Sequence, residues 1–221
     1  MRITIKKQFE SNEFNYTGHI EFILDSFKEY VKITQKEISV IESRLKEIDS
    51  LSKKFGSEFD FDLLYDSSEQ IYIERNITQI YYESIFIAIY SFVEKTMKKL
   101  CLIARDNSIE KNQITLNDIS HNGIELYYIY LKKVQKMNLD HLNMSWNMLK
   151  SFNKLRNLII HDPSREIEIK SNAKTIVKLE DIKNLTKEKD NDIFKFSIDN
   201  KELLDDFIST AEDFFKNLCY N

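Results

Sequence analysis

From Ile20 to Phe55 the apolar positions of this chain fall at Ile20, Leu24, Phe27, Val31, Thr34, Ile38, Ile41, Leu45, Ile48, Ser52 and Phe55, in steps of four and three that never slip. This is a heptad seam with two polar members. It predicts a helix of roughly 55 Å at about 1.5 Å per residue. Such a helix must lie against another long helix or a second subunit, so the spacing alone removes most folds. Gly56 is expected to end it, and GSEFDFDLLYDSSE (56–69) to form the connector. That connector holds several acids but no Asp-x-Asp-x-Asp-Gly loop, so no calcium site is read there.

A second long helix is predicted from about Ser68 to Asn107. Its expected inward stripe includes Ile77, Ile80, Tyr81, Ser84, Ala88, Phe92, Met97, Leu100 and Ile103, and the two helices would pair as an antiparallel hairpin. Three glycines and one proline leave few places for turns, which favours long helices over many short strands. HNG at 121–123 is a turn signal, IELYYIYLKKVQKM (124–137) a shorter helix, and a further helix begins near Ser145. After Pro163 the period changes to two in EIEIK and in IFKFSI (193–198), which predicts a small β-hairpin closed by a long, lysine-rich loop. The tail KELLDDFISTAEDFFKNLC is an amphipathic helix with Leu204, Phe207, Ile208, Ala211, Phe214, Phe215 and Leu218 inward. The expected fold is all-α, an antiparallel helical bundle with a long N-terminal helix and a small β-hairpin insertion. Residues 1–66 are read as the N-terminal helix packing on or extending the bundle, and 67–221 as the helical domain.

Hydrophobic residues make up 42% of the chain, enough for a real core and against disorder. The longest apolar run, IFIAIY (85–90), is too short to span a bilayer. MRITIKKQFESNEFN at the start lacks the apolar core of a signal peptide. A cytoplasmic protein with no membrane partner is therefore expected. Cys101 and Cys219 lie in apolar helical patterns and read as small buried hydrophobes. A net charge of −4 argues against a general nucleic-acid coat, yet the charge is uneven. Between Lys132 and Arg156 there are six basic residues and one acid, whereas the C-terminal helix is acidic.

RNLIIHDPSRE (156–166) concentrates chemistry. It holds Arg156, Asn157, His161 and the single proline of the chain, Pro163. A proline disfavours the α conformation at the residue before it, so the helix should end near His161. Asn157 and His161, four apart, share a face, and the amide can reach the ring. Arg156 and His161 are five apart, about 140° around the axis, and cannot meet on one intact helix. Either the last turn unwinds, or a second copy of the helix completes the site, as a two-fold dimer would allow. Met148, Phe152, Leu155 and Ile159 form the core stripe, leaving Asn157 and His161 nearly opposite, with Lys154 beside His161. The plain alternative is a helix C-terminus carrying a surface histidine well placed against the dipole. His19, His121 and His141 read as surface residues, and Glu94 as the maker of a structural hydrogen bond or ion pair. No His-Glu-x-x-His, Cys-x-x-Cys, P-loop or Gly-x-Gly-x-x-Gly occurs, so no metal and no cofactor is expected.

RNLIIH resembles the Arg-x4–6-His motif of the HEPN superfamily, the helical "higher eukaryote and prokaryote nucleotide-binding" domains, where a polar residue, often Asn, follows the Arg. IAIYSFVEKTMKKLC (87–101) looks like the helix that packs beside the motif helix in these families. The short strand IFKFSI followed by an acidic amphipathic helix is similar to the ending of the RiboL-PSP-like group. The likeness covers roughly residues 67–218 in layout and leaves the N-terminal heptad helix unexplained. It implies a metal-independent endoribonuclease of the toxin or antiviral-defence type, cutting at a homodimer interface, with RNA as substrate and a protein antitoxin or defence-system component as partner. Arg156 and His161 would be catalytic, Asn157 would orient the ring or contact phosphate, and Lys154 and Lys150 would bind neighbouring phosphates. One branch of the family carries a modifiable Tyr two residues after the His; here that position is Pro163, so another inhibitor would be needed. Two other readings stand beside this one. In one the pocket binds a nucleotide or RNA without cutting it. In the other the heptad helix is the working part, as an interaction scaffold.

Overall fold

The computed structural model describes residues 16–55, 61–108, 114–162 and 164–220. The first fifteen residues, Gly56 as helix stop and Pro163 as helix breaker lie outside the described residues. The molecule is mostly helical with one small antiparallel sheet. Helix α1 (Tyr16–Phe55) runs against α2 (Phe61–Asp106), and α2 begins seven residues earlier than the sequence pattern suggests, so Asp66 already lies within it. A turn of 3-10 helix, Leu116–Asp118, precedes α3 (Gly123–Ile129), which continues as a wider turn through Val134. The motif helix α4 spans Asn143–His161. After it come β1 (Glu166–Glu168), α5 (Ile169–Glu180), β2 (Thr186–Asp190), β3 (Ile193–Ser197) and α6 (Lys201–Tyr220).

The heptad seam of α1 is real where the body of the protein backs it. Ile20, Leu24, Val31 and Ile38 are buried and Phe27 packs on Phe92, while Thr34 hydrogen-bonds the Tyr81 hydroxyl. Ile41, Leu45 and Ile48 are only partly buried. Helix α1 also packs along α6, where Lys28 pairs with Glu212 at 2.5 Å.

On α2 the expected stripe is wrong in four of its nine members. Ile77 and Ile80 are 45% and 62% exposed, and Ser84 and Ala88 are exposed too. The buried side is Tyr82, Ile85, Phe86, Ile89, Tyr90, Val93, Met97 and Leu100. Two apolar stripes run along this helix on nearly opposite sides, and periodicity alone does not rank them. The aromatic side turns inward because it removes more apolar area from water. Phe86, Phe152 of α4 and Phe207 of α6 meet with centroids 5.9, 5.0 and 4.3 Å apart, and this cluster fixes the motif helix against α2 and α6. At the other end of α4, Trp146 stacks on Tyr128 of α3 at 4.1 Å.

The segment after the motif departs from a hairpin with a long loop. β1 does pair with β3, Ile167 opposite Phe194, but the span between them holds α5 and β2, giving an antiparallel sheet of order β1-β3-β2. Ile176 and Leu179 of α5 are buried. Lysines at 170, 174 and 178 mask this helix in the sequence, because its apolar positions are few and its neighbours are strands. The inward face of α6 is as expected, all seven residues being buried. Cys101 and Cys219 are buried free thiols, and burial pushes both up to about 12.

Candidate active site

Helix α4 puts its apolar residues Leu149, Phe152, Leu155 and Ile159 into the core, so what remains is sorted onto two outward flanks. Met148 of the expected stripe is partly buried. Lys150, Lys154, Asn157 and His161 follow one another at steps of four, three and four and form a single ridge about 16 Å long. Lys154 and His161 are exposed, and the Lys150 ammonium sits 5.9 Å from the Trp146 ring. No acid occurs between Asn143 and His161, so the ridge is cationic along its whole length.

Arg156 lies on the other flank with Asn153, toward α2. Its guanidinium rests 5.4 Å from the centroid of the Tyr90 ring, and its Nη1 donates to Asn157 Oδ1 at 3.0 Å. Its Nε is buried and has no acceptor among the described residues. Tyr90 is itself 2% exposed and donates its hydroxyl to Asn153 Oδ1 at 2.8 Å. Burial, then the nearby Glu94 carboxylate, drives its phenol well above the usual range, while Arg156 pulls the other way. Glu94 is partly buried beneath the start of α3, where Gly123 has φ +58°. A Cβ on that glycine would stand 3.4 Å from Glu94 Oε1, an ordinary contact. Helix end, ring and acid thus make one polar corner between α2, α3 and α4.

The helix does end at His161. Asp162 is extended (φ −129°, ψ 93°), and its N–H still reaches the Leu158 carbonyl at 2.8 Å, so the last turn stays wound. Of the two ways to bring Arg156 and His161 together, unwinding does not occur in the single chain. The Asn157 amide does not hold the imidazole either. Its oxygen accepts a hydrogen bond from Arg156, and no hydrogen bond joins His161 to any described residue. The reason is reach: the long arginine side chain folds back on its neighbour, while the histidine at the terminus points to water.

The turn beyond is clamped. Arg165, at φ +58°, donates Nε to Glu83 Oε1 at 2.7 Å and Nη2 to Glu83 Oε2 at 2.6 Å, and its Nη1 binds the Asp162 carbonyl. Both side chains are largely buried, at 16% and 10% exposure, so the end of α4 is tied to α2 by a bidentate ion pair. Sequence reading assigns no role to Tyr90, Asn153, Glu83 or Arg165. Asn153 had a signal, being three residues before Arg156 on the same flank. Nothing local marks Glu83 as the partner of a residue 82 positions later.

His19 is partly buried against Tyr16, His121 is exposed, and exposed His141 contacts the Asn217 carbonyl at 3.2 Å. Among the described residues no three His, Cys, Asp or Glu side chains cluster as metal ligands would, and no helix is long and apolar enough to cross a membrane. Compared with known protein families, curated proteins and solved structures, the chain matches none.

Proposed function

We propose that the chain is an endoribonuclease of the HEPN type, whose active centre is completed when two copies bring their α4 ends together. The observation that carries this reading is the split between the two flanks of an intact helix end. Arg156 is held half-sunk against Tyr90 with one buried N–H unanswered, His161 stands in water, and among the described residues neither has an anionic or proton-transfer partner. A guanidinium with a spare buried donor fits a phosphate oxygen. The RNLIIH resemblance names the reaction.

In that reaction the 2′-oxygen of a ribose attacks the adjacent phosphorus while the bond from phosphorus to the 5′-oxygen breaks, leaving a 2′,3′-cyclic phosphate and a 5′-hydroxyl. DNA lacks the nucleophile and is spared. An imidazole can both accept and donate a proton, so His161 takes the 2′ proton or gives one to the departing 5′-oxygen. Arg156 neutralises the charge that builds on the non-bridging oxygens, and Asn157 steadies the guanidinium from Oδ1. The ridge of Lys154 and Lys150 leads away from His161 and tracks the neighbouring phosphates. The test is cleavage of total RNA by purified protein in EDTA, beside His161→Ala, with product ends mapped. Cyclic-phosphate ends from wild type alone support the reading. RNA binding that survives His161→Ala, with no product from either protein, replaces it with the binding-module reading.

A further inference from the structure

The outward stripe of α2 that the core does not use is itself a heptad seam. Ile73, Ile77, Ile80, Ser84, Ile87 and Ser91 follow at steps of four, three, four, three and four. Ile73, Ile77 and Ile80 are 47%, 45% and 62% exposed, Ser84 is exposed, and Ile87 and Ser91 are partly so. The seam runs beside the active corner, since Ile87 of the seam and inward-facing Tyr90 are three apart and adjacent on α2. We infer that this face is where the second copy docks, α2 against α2 in antiparallel sense about a two-fold axis near residue 82. The inference rests on the two-copy reading of the site and names the surface that reading requires.

Three observations choose a second copy over another partner. First, the bulk is distributed in halves: isoleucines fill 73, 77 and 80, whereas serines occupy two of the three later positions. An antiparallel copy sets Ile80 against Ser84, Ile77 against Ile87 and Ile73 against Ser91, so two of the three pairs set a large side chain against a small one and the third sets isoleucine on isoleucine. Secondly, two acids beside the seam are already paired within the chain, Glu74 with Arg44 at 2.9 Å and Glu83 with Arg165 at 2.6 Å. A two-fold axis would bring like charges together, and these two acids are each paired with an arginine of their own chain. Thirdly, the Ser91 hydroxyl donates back to the Ile87 carbonyl at 2.8 Å, so burial would strand no donor there. The apolar residues on the outer side of α1, Phe22, Ile33 and Val40, are more exposed still, but Glu29 and Lys36 interrupt their line.

The experiment is the mass in solution of the whole chain, by light scattering at micromolar concentration, for wild type, Ile80→Glu, Ile77→Glu and Val40→Glu, with helicity checked by circular dichroism. Wild type and Val40→Glu should run at twice the chain mass, and the two α2 variants at the chain mass with helicity unchanged. A mixture of Ile80→Cys and Ser84→Cys should cross-link under mild oxidation more than either alone. A wild type that runs as a monomer, or a dimer that survives both α2 changes and yields to Val40→Glu, overturns the inference. RNA cleavage by a monomer would overturn this face and keep the nuclease. A dimer broken by Ile80→Glu that cuts no RNA would keep the face and overturn the nuclease.

Discussion

Two arginines lean on α2 two turns apart, and they are treated oppositely. Arg165 meets Glu83 through two parallel hydrogen bonds, spends its remaining arm on the Asp162 carbonyl, and is nearly sealed from water. Arg156 sits over the Tyr90 ring, has one hydrogen bond to its own neighbour, and keeps a buried Nε without an acceptor among the described residues. A saturated guanidinium is a fastener. One left short of an acceptor in a partly buried corner is held ready for an anion, because leaving a buried donor unmade costs about 1–3 kcal/mol that a ligand oxygen would recover. On the proposed reading, Arg165 is the fastener and Arg156 the residue that meets the anion.

The comparison can be broken by asking what each arginine is worth and to which property. The largest effect falls on activity: Arg156→Ala and His161→Ala should each lower RNA cleavage by about 100- to 1000-fold, the scale of a lost charge stabiliser or proton-transfer group. Their urea midpoints should move by no more than about 1 kcal/mol equivalent. Glu83→Ala should do the reverse, costing about 3 kcal/mol because it leaves Arg165 charged and unpaired in a largely buried site. Replacing both partners, Glu83→Gln with Arg165→Met, should recover much of that loss, and failure to recover would mean that the pair does more than fasten. Tyr90→Phe keeps the ring beneath Arg156 and removes only the donor to Asn153, so a stability loss of about 1 kcal/mol is expected, with cleavage within several-fold of wild type.

The smallest effect concerns pH and lies away from both arginines. Burial raises the Cys101 and Cys219 thiols from 9.0 to about 12. In the unfolded chain they ionise near the ordinary value, while the folded chain keeps its protons, so their contribution to stability is full below pH 9 and falls as pH rises toward 12. Urea midpoints measured between pH 8 and pH 10.5 should decline, and alkylation of either thiol at pH 8 should wait on unfolding.

The sequence made some of this legible for physical reasons that can be named. Helix α6 and the first half of α1 were readable because each has a single apolar stripe. The end of α4 was readable because a proline near a helix end acts locally. Helix α2 was misread because it has two stripes, and the one with Ile77 and Ile80 kept the cleaner heptad spacing while the one with Tyr82 and Phe86 had the larger area. Helix α5 was missed among lysines. In the site, Arg156, Asn157, His161, Lys154 and Lys150 could be picked out because they crowd into a dozen residues of one helix. Tyr90 looked like one more apolar residue in IAIYSF, and the Glu83–Arg165 pair spans most of the chain, so only the folded structure brings those groups to the motif.

The measurement that bears most directly on a shared active centre is complementation between two inactive variants. Arg156→Ala and His161→Ala are purified separately, mixed, allowed to exchange subunits, and assayed for RNA cleavage in EDTA. If Arg156 of one copy works with His161 of the other, random exchange leaves half of the dimers mixed, each with one intact centre, and activity should return to about a quarter of wild type. Wild-type activity alongside a mixture that stays as inactive as its components would mean that each chain assembles its own centre, and the account of a split site would be wrong.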